Sequence, residues 1–109
     1  EPAMTHYVIY EVAIEADAII ADDYRTWLDA HVRAMLALPG FVGARVYEAI
    51  DPPPTAGTHS FCVQYRLLDQ AALDHYLHRD APRMRAEGIE RFGDQIRATR
   101  RVLQETYSY

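Results

Sequence analysis

One nine-residue stretch limits the folds open to this chain. Residues 6–14, His-Tyr-Val-Ile-Tyr-Glu-Val-Ala-Ile, are mostly β-branched and aromatic, the composition of a strand. A strand with one wet face alternates apolar and polar residues. This one does not. One phase reads Tyr7, Ile9, Glu11, Ala13, and the other reads Val8, Tyr10, Val12, Ile14. Both phases are mostly apolar, so both faces of the strand call for cover.

The rest of the chain supplies cover for one face. Residues 18–38 predict a long amphipathic helix, with Asp17 or Asp22 at the end where the dipole favours an acid. At about 100° per residue, Ile20, Tyr24, Trp27, Leu28, His31, Met35 and Leu38 share one stripe roughly 100° wide. Pro39-Gly40 stops the helix. Strands follow at 41–50 and 59–68, joined by a loop containing Pro52-Pro53-Pro54, which no helix or central strand tolerates. Asp69 caps a helix over 70–80, Pro82 opens another over 82–92, Gly93 ends it, and 95–104 form a last strand.

The order β-α-β-β-α-α-β is the split βαβ, ferredoxin-like arrangement. It is an α+β fold, a four-stranded antiparallel sheet with helices on one face. A single domain accounts for 4–109, with Glu1-Pro2-Ala3 reading as an addition ahead of a native Met4. No segment remains to cover the second face. The economical solution is a second copy of the chain, giving a homodimer joined through the sheet.

Composition removes several partners. Eleven basic residues, all Arg, stand against sixteen acids, for a net charge of −5. That balance argues against nucleic acid and against anionic membrane surfaces. No apolar run approaches the ~18–20 residues of a membrane span. The single Cys62 excludes an internal disulfide and a cysteine-built metal site. With no secretion signal after Met4, the expectation is a cytoplasmic protein. There is no phosphate loop, nucleophile elbow or zinc signature.

The phrase Leu38-Pro39-Gly40-Phe41-Val42-Gly43-Ala44-Arg45-Val46-Tyr47 resembles the dimeric α/β-barrel superfamily. Within it the chain is similar to an uncharacterised bacterial domain-of-unknown-function family related to antibiotic-biosynthesis-monooxygenase-like domains. Further similarity lies in Ala81-Pro82-Arg83-Met84-Arg85-Ala86-Glu87-Gly88, in Arg91-Phe92-Gly93 and in Arg100-Arg101-Val102-Leu103. The resemblance implies a homodimer. Its implied activities are a cofactor-free monooxygenase-like reaction on a small aromatic molecule, a non-catalytic stress-related or structural role, or haem binding. Haem-degrading members use an Asn on the first strand, and this sequence contains no Asn. Fold alone does not choose among these.

His31 is the leading candidate for catalysis. The helical wheel points it at the sheet between Trp27 and Met35, where a neutral imidazole can act as a general base or bind haem iron. The alternative is a core histidine bonded to a tyrosine hydroxyl or a backbone carbonyl. Tyr10, Tyr24, Tyr65 and Tyr76 converge between helices and sheet. With Trp27 they suit a planar phenolic or quinone-like ligand, or else ordinary packing. Arg45 and Arg100 offer bidentate contacts to a ligand carboxylate, or internal pairing with Glu11 or Glu48. On the third strand Ser60, Cys62, Gln64 and Arg66 form a polar phase, from which Gln64 and Arg66 suit dimer contacts or the lining of a polar cavity. His75 and His78 point outward, and Arg79, Arg83, Arg85 and Arg91 read as a solvated face. No bound cofactor is expected.

Overall fold

Strand β2, Val8–Asp17, is hydrogen bonded along both of its edges and organises everything else. A computed structural model describes all residues 1–109. Around β2 lie β3 (Phe41–Glu48), β4 (Thr58–Leu67) and β5 (Ile96–Gln104), in the spatial order β3-β4-β2-β5, every pair antiparallel. Helices α1 (Ala21–Leu36), α2 (Gln70–Arg79) and α3 (Ala81–Phe92) supply the α layer. The chain is therefore a ferredoxin-like α+β domain. A second, two-stranded sheet pairs β1 (Ala3–Met4) with β6 (Tyr107–Ser108) and ties the ends of the chain together. No helix is long and apolar enough to cross a membrane.

The alternation along the central strands decides which side chains meet the helices. In β4, Phe61, Val63, Tyr65 and Leu67 are buried, whereas Ser60, Cys62, Gln64 and Arg66 lie between them on the other face. The register sets Tyr65 opposite Tyr10 and Val63 opposite Val12. The helix-facing side of β2 is thus Val8, Tyr10, Val12, Ile14 and Ala16. The core that forms there includes Leu28, Met35, Leu73, Met84 and Phe92 from the helices. Each fully buried aliphatic side chain contributes roughly 1.5–3 kcal/mol relative to exposure.

Two local features set the helix positions. Asp69 accepts a hydrogen bond on Oδ1 from the Ala72 N–H at 2.9 Å, an N-cap that starts α2 as the sequence predicts. Gly40, at φ +84°, turns the chain from α1 into β3, and a Cβ there would stand 2.6 Å from the Ala72 Cβ. The turn and the seating of α2 therefore require the same glycine.

The first helix is shorter than the periodicity suggests. Residues 18–20 form a 3₁₀ turn, and the α-helix proper starts at Ala21. Asp17 makes no cap; its carboxylate accepts from Arg97 Nη2 at 3.0 Å. The acids in the first α-helical turn are Asp22 and Asp23.

The outer face of the sheet carries no helix and is organised by charge pairs. Glu11, nearly buried, accepts from Arg101 on β5 and from Gln64 Nε2 on β4 at 2.9 Å. Arg97 pairs with Glu15 at 2.9 Å, and Arg66 with Glu105 at 2.9 Å. Ile9, Ala13, Cys62 and Leu103 lie between these pairs, half-buried. The apolar reading of this phase of β2 is thus modified. Its three acids, Glu11, Glu15 and Asp17, are matched by cross-strand cations on β5 that a single strand cannot reveal.

Candidate functional site

Helical spacing of three and four residues brings Tyr24, Trp27, Leu28, His31 and Met35 onto one side of α1. That side closes over β2 and β4, while α3 approaches from beyond β2. Between them is a cavity of about 270 Å³. Six of the seven sequence candidates line it: Tyr10, Tyr24, Trp27, His31, Tyr65 and Tyr76. Its volume is near the low end of small-molecule sites, ~300–1,000 Å³.

Arg45 does not join them. It stands opposite Gln64 on the outward phase of β3 and lines a polar recess with Arg66 and Glu105. The reason is the pleat: Ala44 and Val46 take the helix-facing positions, so Arg45 faces away. The sequence offers Arg45 as a contact to a ligand carboxylate or as a partner of Glu11 or Glu48; it stands apart from the aromatic cavity, and those two acids pair instead with Arg101 and Arg25. Arg100, weighed with it on the sequence, does line the cavity.

His31 lies flat on Trp27, ring centroids 4.5 Å apart and planes 16° apart. Its Nδ1 is buried and has no hydrogen-bond partner. The Glu87 carboxylate is 3.8 Å away, beyond hydrogen-bond reach. Neither a tyrosine hydroxyl nor a backbone carbonyl holds this ring. Burial pushes the imidazole pKa below its ordinary value, and Glu87 acts in the opposite direction. The ring is therefore held toward its neutral form, the state that can accept a proton.

The tyrosine hydroxyls divide into two kinds. Tyr10 accepts a hydrogen bond from Arg85 Nη2 at 2.9 Å. The hydroxyls of Tyr24, Tyr65 and Tyr76 have no protein partner, and all three residues line the cavity. Burial pushes the Tyr24 hydroxyl up to about 12, with Arg100 acting against it. The Tyr65 and Tyr76 hydroxyls are raised by burial as well, again opposed by Arg100. All three stay protonated at neutral pH, as donors with nothing in the protein to donate to.

Packing fixes the aromatic walls. Tyr24 meets Phe61 at 5.3 Å and Phe92 at 5.4 Å, and Tyr76 meets Phe41 edge-on at 5.1 Å. On α3, Gly88 lets Trp27 come close, since a Cβ there would lie 3.2 Å from the indole.

Arg85 and Ile89 also line the cavity from α3. The sequence places Arg85 on a solvated face, and the residue is indeed exposed, but it also reaches inward. Its long apolar stem carries the guanidinium across the rim to Tyr10. Cys62 lies on the outer face, and burial, reinforced by Glu11, raises its thiol pKa, which disfavours the nucleophilic thiolate. His75 and His78 are exposed.

Comparison with known proteins gives a family and a fold. The model of a family described as a domain of unknown function, DUF4286, matches residues 7–106. No curated protein matches the sequence. Among solved structures, the chain is similar to a variant of SnoaB, a cofactor-independent oxygenase from Streptomyces nogalater, with TM-score 0.66 and 11% identity over 90% of this chain and 92% of that one. A provisional antibiotic biosynthesis monooxygenase from Deinococcus radiodurans matches with TM-score 0.64 and 16% identity over 90% and 89%. A dimeric ferredoxin-like protein from an uncultured marine organism matches with TM-score 0.62 and 11% identity over 96% of each chain. At these identities the likeness is one of fold.

Proposed function

The chain belongs to the DUF4286 family, and from that premise we propose that it binds a small aromatic molecule in the cavity and oxidises it with molecular oxygen, without a bound cofactor. The observation that carries this reading is the half-buried imidazole of His31, free of any hydrogen bond in the protein, on the wall of a cavity that three tyrosines without hydroxyl partners also line. The oxygenase and monooxygenase-type structures with the same fold support it.

His31 acts as the general base. With a phenolic substrate such as 1-naphthol, it takes the hydroxyl proton and leaves an electron-rich ring anion. That anion reduces oxygen, and a carbon–oxygen bond forms at the ring position para to the hydroxyl. The oxygen–oxygen bond then breaks. One oxygen stays as the second quinone carbonyl, and the other leaves as water with the hydroxyl proton and the displaced ring hydrogen. The substrate loses four electrons and oxygen gains four, so the reaction needs no other reductant. Trp27 and the tyrosines hold the ring and exclude water from it.

The test is oxygen uptake and quinone formation with 1-naphthol, alongside binding measured by quenching of Trp27, the only tryptophan. His31→Gln should lower turnover by about 10²–10⁴-fold and leave binding within a few-fold. Equal turnover in the variant removes the base, and absence of binding removes the ligand. The Trp27–His31 stack also suits a non-catalytic binding protein. That reading prevails if His31→Gln lowers the melting temperature and no turnover exists in either protein.

The active form is a homodimer joined through the outer sheet face. That face bears no helix, and the dimeric ferredoxin-like neighbour has the same fold. Light scattering should give twice the 12.5 kDa chain mass; a monomer overturns the assignment.

A further inference from the structure

Six of the eleven arginines lie within 4 Å of a carboxylate: Arg25, Arg33, Arg66, Arg83, Arg97 and Arg101. Arg85 and Arg100 do not, and both line the aromatic cavity. They reach it from opposite sides, Arg85 from α3 and Arg100 from β5, where it stands opposite Val12. The cavity lining contains no Asp or Glu. The nearby acids are occupied or set back. Asp80 is paired with Arg83 at 3.1 Å, and half-exposed Glu87 stands beside His31. In a chain of net charge −5, the cavity is a local excess of positive charge without a counter-ion.

We propose that Arg85 and Arg100 form an anion clamp at the cavity, and that the ligand is an aromatic carboxylate whose charge sits between the two guanidinium groups while its ring lies among Trp27 and the tyrosines. This rests on the reading of the cavity as a site for a small aromatic molecule and adds its charge. Guanidinium groups favour carboxylates because their parallel N–H groups match both oxygens. Both side chains line the same cavity as Tyr76. Tyr10 fixes the Arg85 end by accepting from Nη2, leaving the remaining N–H groups of that guanidinium free. Both arginines stand exposed at the rim of mostly apolar walls, so the carboxylate stays at the mouth while the ring enters.

The experiment compares 2-naphthoate with its uncharged amide, 2-naphthamide, by isothermal titration calorimetry on the full chain. The naphthoate should bind at least tenfold more tightly, and rising salt should erode that difference. Arg85→Gln and Arg100→Gln should each reduce the acid-over-amide preference about tenfold. Arg100→Lys should recover part of it, and circular dichroism verifies that each variant is folded. Equal binding of acid and amide overturns the clamp and leaves the aromatic site standing. A preference for the acid that survives both Gln variants also overturns the clamp. Failure of both probes to bind overturns the clamp and the aromatic site together.

Discussion

Trp27 and His31 lie one helical turn apart on α1, and their rings stack at 4.5 Å with planes 16° apart. The only tryptophan of the chain is therefore stacked on the histidine we propose as the general base. A protonated imidazole quenches a stacked indole. Trp27 emission should fall on acidification with a midpoint below the ordinary histidine value of ~6.5, because burial disfavours the charged ring. Glu87→Gln should move that midpoint lower still, since Glu87 opposes the burial effect. A midpoint above 6.5 contradicts the buried neutral ring.

The same shift makes a stability statement. Between its folded and unfolded pKa values, His31 binds more protons in the unfolded chain, so protonation favours unfolding. Stability should fall as pH drops through the unfolded value of ~6.5 and stop falling, for this group, below the folded value. His31→Gln should flatten that part of the urea-denaturation profile. An unchanged slope between the two proteins would show that His31 is not the group responsible.

Gly88→Ala sets two effects against each other. Removing a glycine from a helix interior gains up to about 1 kcal/mol. The added Cβ meets Trp27 at 3.2 Å, and overpacking typically costs about 1–3 kcal/mol. The net should be a loss of no more than about 2 kcal/mol. Trp27 should be displaced toward the cavity, visible as altered near-UV circular dichroism and weaker ligand binding. A stabilised protein with unchanged Trp27 signals would show that the indole has room to spare.

The tyrosines should separate by whether their hydroxyls are engaged. Tyr24→Phe and Tyr76→Phe remove hydroxyls that hold nothing in the protein, so stability should change by no more than about 0.5 kcal/mol. Tyr10→Phe removes the acceptor of the Arg85 bond and should cost about 1 kcal/mol. Chemical denaturation of the three variants gives the order directly, and equal losses would contradict it.

Asp69→Ala removes the α2 cap, and the cost should be about 1 kcal/mol, or roughly 4 °C in melting temperature. Asp69→Asn should retain most of the stability, because an amide oxygen still accepts from the Ala72 N–H. Similar melting temperatures for Ala and wild type would mean that tertiary packing alone starts the helix.

Much of this architecture was legible because it rests on periodicity. The alternation Phe61, Val63, Tyr65, Leu67 on β4 and the helical stripe through Trp27 and His31 required only spacing, and both hold in the structure. Arg45 and Arg85 were not legible for different reasons. The side on which Arg45 emerges depends on the register of β3 against β4, including an irregularity between Phe41 and Gly43. The reach of Arg85 to Tyr10 spans seventy-five residues and depends on how α3 crosses the sheet. Glu11 resisted reading likewise, because its partners Arg101 and Gln64 come from two other strands.

The unequal bonding of the strands gives the cavity walls unequal lifetimes. Tyr10, Val12 and Ile14 belong to β2, locked along both edges, whereas Ala98 and Arg100 belong to β5, held along one. An outer strand opens at lower free energy than an inner one. Loosening the β2–β5 ladder near Arg100 would open the cavity from that side and speed both entry and exit of a ligand bound as proposed, while the aromatic wall on β2 and β4 keeps its shape.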